Sequence, residues 1–151
     1  MNAPPDPVSA GARAAELLEE ACRSALEPAN SLQLEVVRDL AADIRRQLDA
    51  MAGLAREDAA PDILAEAALR CADLANLAAC NASKLPHERA PRALAAALLA
   101  AGAVRDLRSL VEADNGEPDG EHMENVLRDV RSAAWRAEFA GRQADGFADG
   151  G

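Results

Sequence analysis

From Val37 onward, Val37, Leu40, Ile44, Leu48, Met51 and Leu54 recur by threes and fours, while Arg38, Asp39, Asp43, Arg45 and Arg46 occupy positions between them. That spacing predicts an amphipathic helix with one buried face. The same period continues through Ile63, Leu64, Ala67, Ala68, Cys71, Leu74, Ala75 and Ala78, a contact face made mostly of small side chains. Between Ala93 and Val104 there is no charge, and Leu94, Leu98, Leu99, Val104, Leu107, Leu110 and Val111 project to every side of a helix over 90–111. A helix that is apolar all round needs neighbours on all sides. This stretch therefore predicts a central Ala/Leu-rich helix with the amphipathic ones packed about it.

Breakers mark where the helices stop. A first helix over Ser9–Glu27 gathers Ala14, Leu17, Leu18, Ala21, Cys22 and Ala25 near one side and ends at Pro28. Asn30 and Gln33, three residues apart, resemble a capping box for the second helix. The pattern halts around Asp58, and Pro61 stands where a first-turn proline is favoured for a third helix reaching about Ser83. Pro86 and Pro91 bracket the entry to the central helix, which ends near Asp114 before the breaker-rich run Asn115–Gly120. A last helix starts close to Pro118 or Asp119 and runs to about Ala144, with Met123, Val126, Leu127, Val130, Ala134 and Ala137 on its core stripe. No segment alternates apolar and polar residues in the manner of a strand. The fold class is all-α, an up-and-down antiparallel bundle of about five helices around a central helix. Residues 1–8 are expected to form a loose Pro-rich arm, 9–144 a single domain, and 145–151 a frayed Gly/Asp-rich tail.

Composition changes this picture in two respects. Leu, Ile, Val and Phe together make only about a fifth of the 151 residues, so long helices carry little core material and self-association becomes an attractive source of further burial. The net charge of −10 sets the surface against phosphate backbones and anionic lipid, so neither nucleic acid nor membrane is expected as a partner. The N-terminal residues lack the basic-then-apolar order of a secretory signal, and the longest apolar run falls short of the roughly 20 residues that cross a bilayer. Three cysteines, Cys22, Cys71 and Cys80, show no paired spacing, which fits a reducing, cytoplasmic setting. Cys71 and Cys80, nine apart on one helix, lie on opposite sides of it and neither bridge nor share a metal.

Candidate chemistry is sparse. Asn115, Glu117, Asp119 and Gly120 fit the opening of a calcium loop, but position twelve, which needs a bidentate Glu, is Val126, and a solvated turn is the simpler reading. A carboxylate-bridged di-metal site would need Glu-x-x-His, whereas Lys84 and Asp119 precede His87 and His122 by three. Both histidines read as surface residues, and no metal is expected. There is no phosphate-cradling glycine loop and no nucleophile elbow.

The last helix is more informative. Trp135 and Phe139, the only Trp and one of two Phe, fall away from the core stripe with Arg128, Arg131 and Arg142 beside them. Arg131 to Trp135 is an i, i+4 step that allows a guanidinium over the indole. Trp and Arg are enriched at interface hot spots, so Arg128, Arg131, Trp135, Phe139 and Arg142 form a candidate interaction surface. The alternative is a helix sandwiched between two layers, both stripes being ordinary core. Arg105 and Arg108, on the side of Leu94 and Leu98 near the end of the central helix, are either favourable dipole partners or a possible anion contact.

Three segments resemble the cyclodeaminase/cyclohydrolase family, the all-helical folate enzymes that include formiminotetrahydrofolate cyclodeaminase. They are Leu54-Ala55-Arg56-Glu57-Asp58-Ala59, then Pro61-Asp62-Ile63-Leu64-Ala65-Glu66-Ala67-Ala68, then Ala93-Leu94-Ala95-Ala96-Ala97-Leu98-Leu99 with Gly102 and Val104. The resemblance implies a dimeric helical bundle with a pocket for a reduced folate. The family's Pro-x-Pro-Gly-Gly-Gly-Ser segment would fall at Pro5–Gly11, where the glycine run is missing. No catalytic or cofactor-binding residue is carried over.

Two functions stand in order. The first is a non-catalytic bundle acting by association, as a homodimer or with another protein chain, with no cofactor. The alternative is a folate-dependent cyclodeaminase or cyclohydrolase, or a degenerate relative that binds a tetrahydrofolate derivative.

Overall fold

A computed structural model describes residues 6–23, 31–54, 60–115 and 120–150. They form α1 (Pro7–Arg23), α2 (Ser31–Leu54), α3 (Pro61–Asn81), a short 3-10 turn (Ala82–Lys84), α4 (Ala90–Asn115) and α5 (Glu121–Gly150), with no strand among the described residues. The end of the expected first helix at 24–27, Pro28, Asn30 of the capping box, the break at Asp58, and 116–119 of the calcium-like loop lie outside the described residues, as do 1–5 of the arm.

Two ends of the chain are more helical than expected. Helix α1 starts at Pro7 rather than Ser9, because Asp6 supplies the carbonyl that accepts from the Ala10 N–H at 2.9 Å and a carboxylate that accepts from Ser9 Oγ at 3.4 Å. Proline is then at a first-turn position, where its missing N–H costs nothing. Helix α5 runs on to Gly150 through the segment expected to fray. Ala144 is fully packed in the core, and beyond it each residue adds to an existing helix rather than nucleating a new one. Pro61 opens α3 as expected, and Gly120, with φ of 92°, turns the chain into α5 in a left-handed conformation that favours glycine.

The core falls into two clusters, and their membership gives the topology. One joins the later part of α1 (Leu18, Ala21, Cys22) to the early part of α2 (Leu34, Val37), the later part of α3 (Leu74, Ala78), the early part of α4 (Ala93, Ala97) and the far end of α5 (Ala140, Ala144). The other reverses every helix: Val8 of α1, Leu48 of α2, Leu64 and Ala68 of α3, Val104 and Leu107 of α4, Val126 and Val130 of α5. Thus α1, α3 and α5 run one way and α2 and α4 the other, the up-and-down order that short links favour.

Helix α4 packs against α1, α3 and α5, and α3 touches all four other helices. Burial of α4 is therefore three-sided: Leu98 and Leu110, expected inside, are nearly half exposed, and among the described residues α2 makes no contact with α4. On α2 the buried strip is Leu34, Val37, Ala41 and Leu48, and Leu40 is pushed to its edge, since only α1 and α3 cover this helix. The α5 stripe is inside as read, with Met123 and Ala134 partly buried and Ala133, Ala140 and Ala144 added to it.

Small side chains set the spacing. Gly11 of α1 sits where an added Cβ would overlap Cys71 Sγ of α3 and stand 3.2 Å from Leu48 Cδ1 of α2, so side chains from two other helices close on one glycine. Polar ties complete the bundle. Glu19, the one buried carboxylate among the described residues, receives Nε and Nη2 of Arg45 from α2, and Arg136 of α5 bonds Asp73 of α3.

Candidate interaction surface on helices α4 and α5

Every third or fourth residue of α5 from Val126 to Ala144 is drawn into the core, which turns the opposite side of the helix outward. Trp135 and Phe139 occupy that side, 70% and 60% exposed, with ring centroids 6.3 Å apart and planes inclined by 20°. Their one-turn spacing places the rings side by side, an offset stack that shields each from water on one face only. Among the described residues no helix covers these rings, so they do not form part of this chain's core.

The arginines expected around the pair divide into two roles. Arg131 does not lie over the indole: its Nε donates to Glu112 Oε1 of α4 at 3.0 Å. A charge-assisted bond to a carboxylate outweighs an exposed cation–π contact of about 0.5–1 kcal/mol. Arg108 donates to the same Glu112 oxygen at 3.1 Å, so one carboxylate ties α4 to α5 and its pKa is lowered, first by the Arg131 hydrogen bond and then by Arg108. Arg142 pairs with Glu138 one turn back at 2.8 Å, and Arg128 donates to Asn125 Oδ1 at 2.9 Å.

Between the two helices runs a half-open groove of about 510 Å³. Its floor is small: Ala101 of α4 and Ala134, Ala137 and Gly141 of α5. Its rim carries Leu98, the arginines Arg105, Arg108 and Arg142, and the carboxylates Glu138 and Asp145. Three cations face two anions here, the reverse of a chain whose net charge is −10. The Arg105 side chain is exposed and has no ion pair among the described residues. The two candidate sets, Arg105 with Arg108 and the α5 group, thus belong to one continuous surface. Glu112 and Glu138 join it without having been singled out in the sequence, and Leu98, expected in the core, lies on its rim. The Arg108–Glu112 spacing was a visible clue, whereas the Arg131 link depends on the pairing of α4 with α5.

The other candidates stand apart. His87 and His122 are exposed, and His122 Nε2 meets Asp62 of α3 at 2.8 Å. No group of residues suited to holding a metal occurs among the described residues, and no described helix is long and apolar enough to cross a membrane. Cys71 is buried and Cys80 exposed on opposite sides of α3. Gly11, in the segment that would match the folate family's glycine run, is enclosed by α2 and α3 rather than facing the groove. No family model matches this chain, and comparison with curated proteins and with solved structures yields no match.

Proposed function

We propose that this protein acts by association, binding a second copy of itself through the α4–α5 surface. The observation that carries the reading is the exposed Trp135–Phe139 stack beside an arginine-rimmed groove. Covering both rings would remove on the order of 300 Å² from water. At about 25 cal/mol per Å² that is about 7 kcal/mol before losses. Association itself costs about 4–15 kcal/mol, so the rings need the groove and Leu98 with them. The test is light scattering over a dilution series with Trp135 emission followed in the same samples. The expected result is a mass above one chain at high concentration, emission that reddens on dilution, and weaker association in Trp135→Ala. A single-chain mass at every concentration overturns the reading.

A second reading is favoured by the groove's volume, which lies within the usual range for small-molecule sites, and by Arg105, which has no ion pair among the described residues. A tetrahydrofolate derivative would lie on the small-residue floor with its carboxylates toward Arg105 and Arg108. Titration with tetrahydrofolate should then raise the melting temperature, less so in Arg105→Ala. An unchanged melting temperature and Trp135 emission at millimolar ligand refute it.

A further inference from the structure

The surface just described has a counterpart on the far side of the bundle. Helix α2 touches α1 and α3 but neither α4 nor α5. Its outward side carries an apolar ridge, Leu32, Val36 and Leu40, at 75%, 52% and 48% exposure, each one turn after the last. Beside the ridge runs an acidic row of the same spacing, Glu35, Asp39 and Asp43, all exposed. Asp39 and Asp43 meet only Arg38 and Arg46 of their own helix, at 3.6 and 2.9 Å. We infer that the chain assembles head to tail, with α2 of one copy lying in the α4–α5 groove of the next.

This deepens the self-association proposed above and rests on it. The complementarity is of shape and of sign. A floor of alanine and glycine admits a ridge of larger side chains, as grooves that accept amphipathic helices do. The arginine rim then meets the carboxylate row, and Arg105 gains an ionic partner that it lacks among the described residues. Trp135 and Phe139 flank the entering helix and are covered by it.

Pairing either face with itself is disfavoured. Groove against groove would set a rim of three arginines and two carboxylates on its own copy and leave Arg105 facing net positive charge, and α2 against α2 would set carboxylate row on carboxylate row, like-charge placements that cost affinity. Elsewhere the net charge of −10 per chain repels a second copy, so these two faces form the complementary pair. Because the faces lie on different sides of the molecule, the contact is heterologous, and copies add in sequence unless the rotation closes a ring.

The experiment mixes two variants, each disabled at one face. Arg105→Ala with Trp135→Ala spoils the groove and leaves α2 intact, and Val36→Asp with Asp39→Lys spoils α2 and leaves the groove intact. All four positions are exposed, and circular dichroism melts check the fold; if either double variant melts early, Arg105→Ala and Asp39→Lys alone are mixed instead. The expected result is that wild-type mass grows with concentration and each variant alone associates at least tenfold more weakly. An equimolar mixture should form a two-chain complex and stop there, since one competent contact is left. If the α2 variant alone associates as tightly as wild type, the head-to-tail inference falls while self-association through α4–α5 stands. A mixture that stays monomeric overturns the inference as well. A wild-type protein that is monomeric throughout overturns both.

Discussion

Replacing Gly11 by alanine isolates the cost of a close approach between α1 and its neighbours. Alanine is the better helix former by about 1 kcal/mol, so on local grounds Gly11→Ala should stabilise α1. The tertiary setting reverses the sign. The new methyl would overlap Cys71 Sγ and press on Leu48 Cδ1 at 3.2 Å, and both residues are fully buried, so they must shift within a packed core. Overpacking of this kind costs about 1–3 kcal/mol, which offsets the propensity gain and leaves a net loss of up to about 2 kcal/mol. Gly102 supplies the control: it is also helical, but nothing stands within 4 Å of an added Cβ. Gly102→Ala should therefore stabilise by about 0.5–1 kcal/mol. Urea unfolding of the two variants measures both, and thermal melts should move in opposite directions, by about 2–4 °C per kcal/mol for a domain of this size. Cys71→Ala in the Gly11→Ala background should recover part of the loss by removing the sulfur. A Gly11→Ala protein as stable as Gly102→Ala would refute the three-way contact.

Other consequences are equally direct. Arg45→Met should cost about 1–3 kcal/mol in urea unfolding, because Glu19 is left in the core with its partner gone; the half-exposed Arg45 position keeps the loss below the 3–5 kcal/mol typical of fully buried pairs. An unchanged midpoint would refute this. Burial raises the Cys22 and Cys71 thiols to about 11 and about 12, so at pH 8 a disulfide reagent should titrate one fast equivalent, Cys80, and reach the other two only in denaturant. Three equal rates would contradict the burial. Glu112 is held below its ordinary range by Arg131 and Arg108, so its contribution to stability is present above the unfolded carboxylate pKa and lost as pH falls through the lower folded value. Carboxyl NMR should show Glu112 titrating below its ordinary value, and Arg131→Met should bring it back up.

Periodicity alone was enough to place five helices, their order and most of their inward faces, because helix formation and amphipathic burial depend on residues three and four apart. Pro61 and the stretch before Gly120 marked their boundaries in the same local way. Trp135 and Phe139 could be placed off the core stripe of α5 by the same rule, but whether a second layer covered them was a question about distant helices. Which sides lacked a neighbour was decided only in three dimensions. Leu98 and Leu110 lie on a helix apolar all round, yet α4 has neighbours on three sides, and Leu40 lost its place in the core because α2 is covered by α1 and α3 alone. Arg131 was free by local rules to rest on Trp135 and instead crosses to Glu112, a residue brought near by the antiparallel pairing of α4 and α5. The groove, and the union of Arg105 with Arg142 on its rim, likewise exist only once those helices are side by side. Local spacing determines which face of a helix is apolar; the packing of the other helices determines how much of that face is used and what remains for a partner.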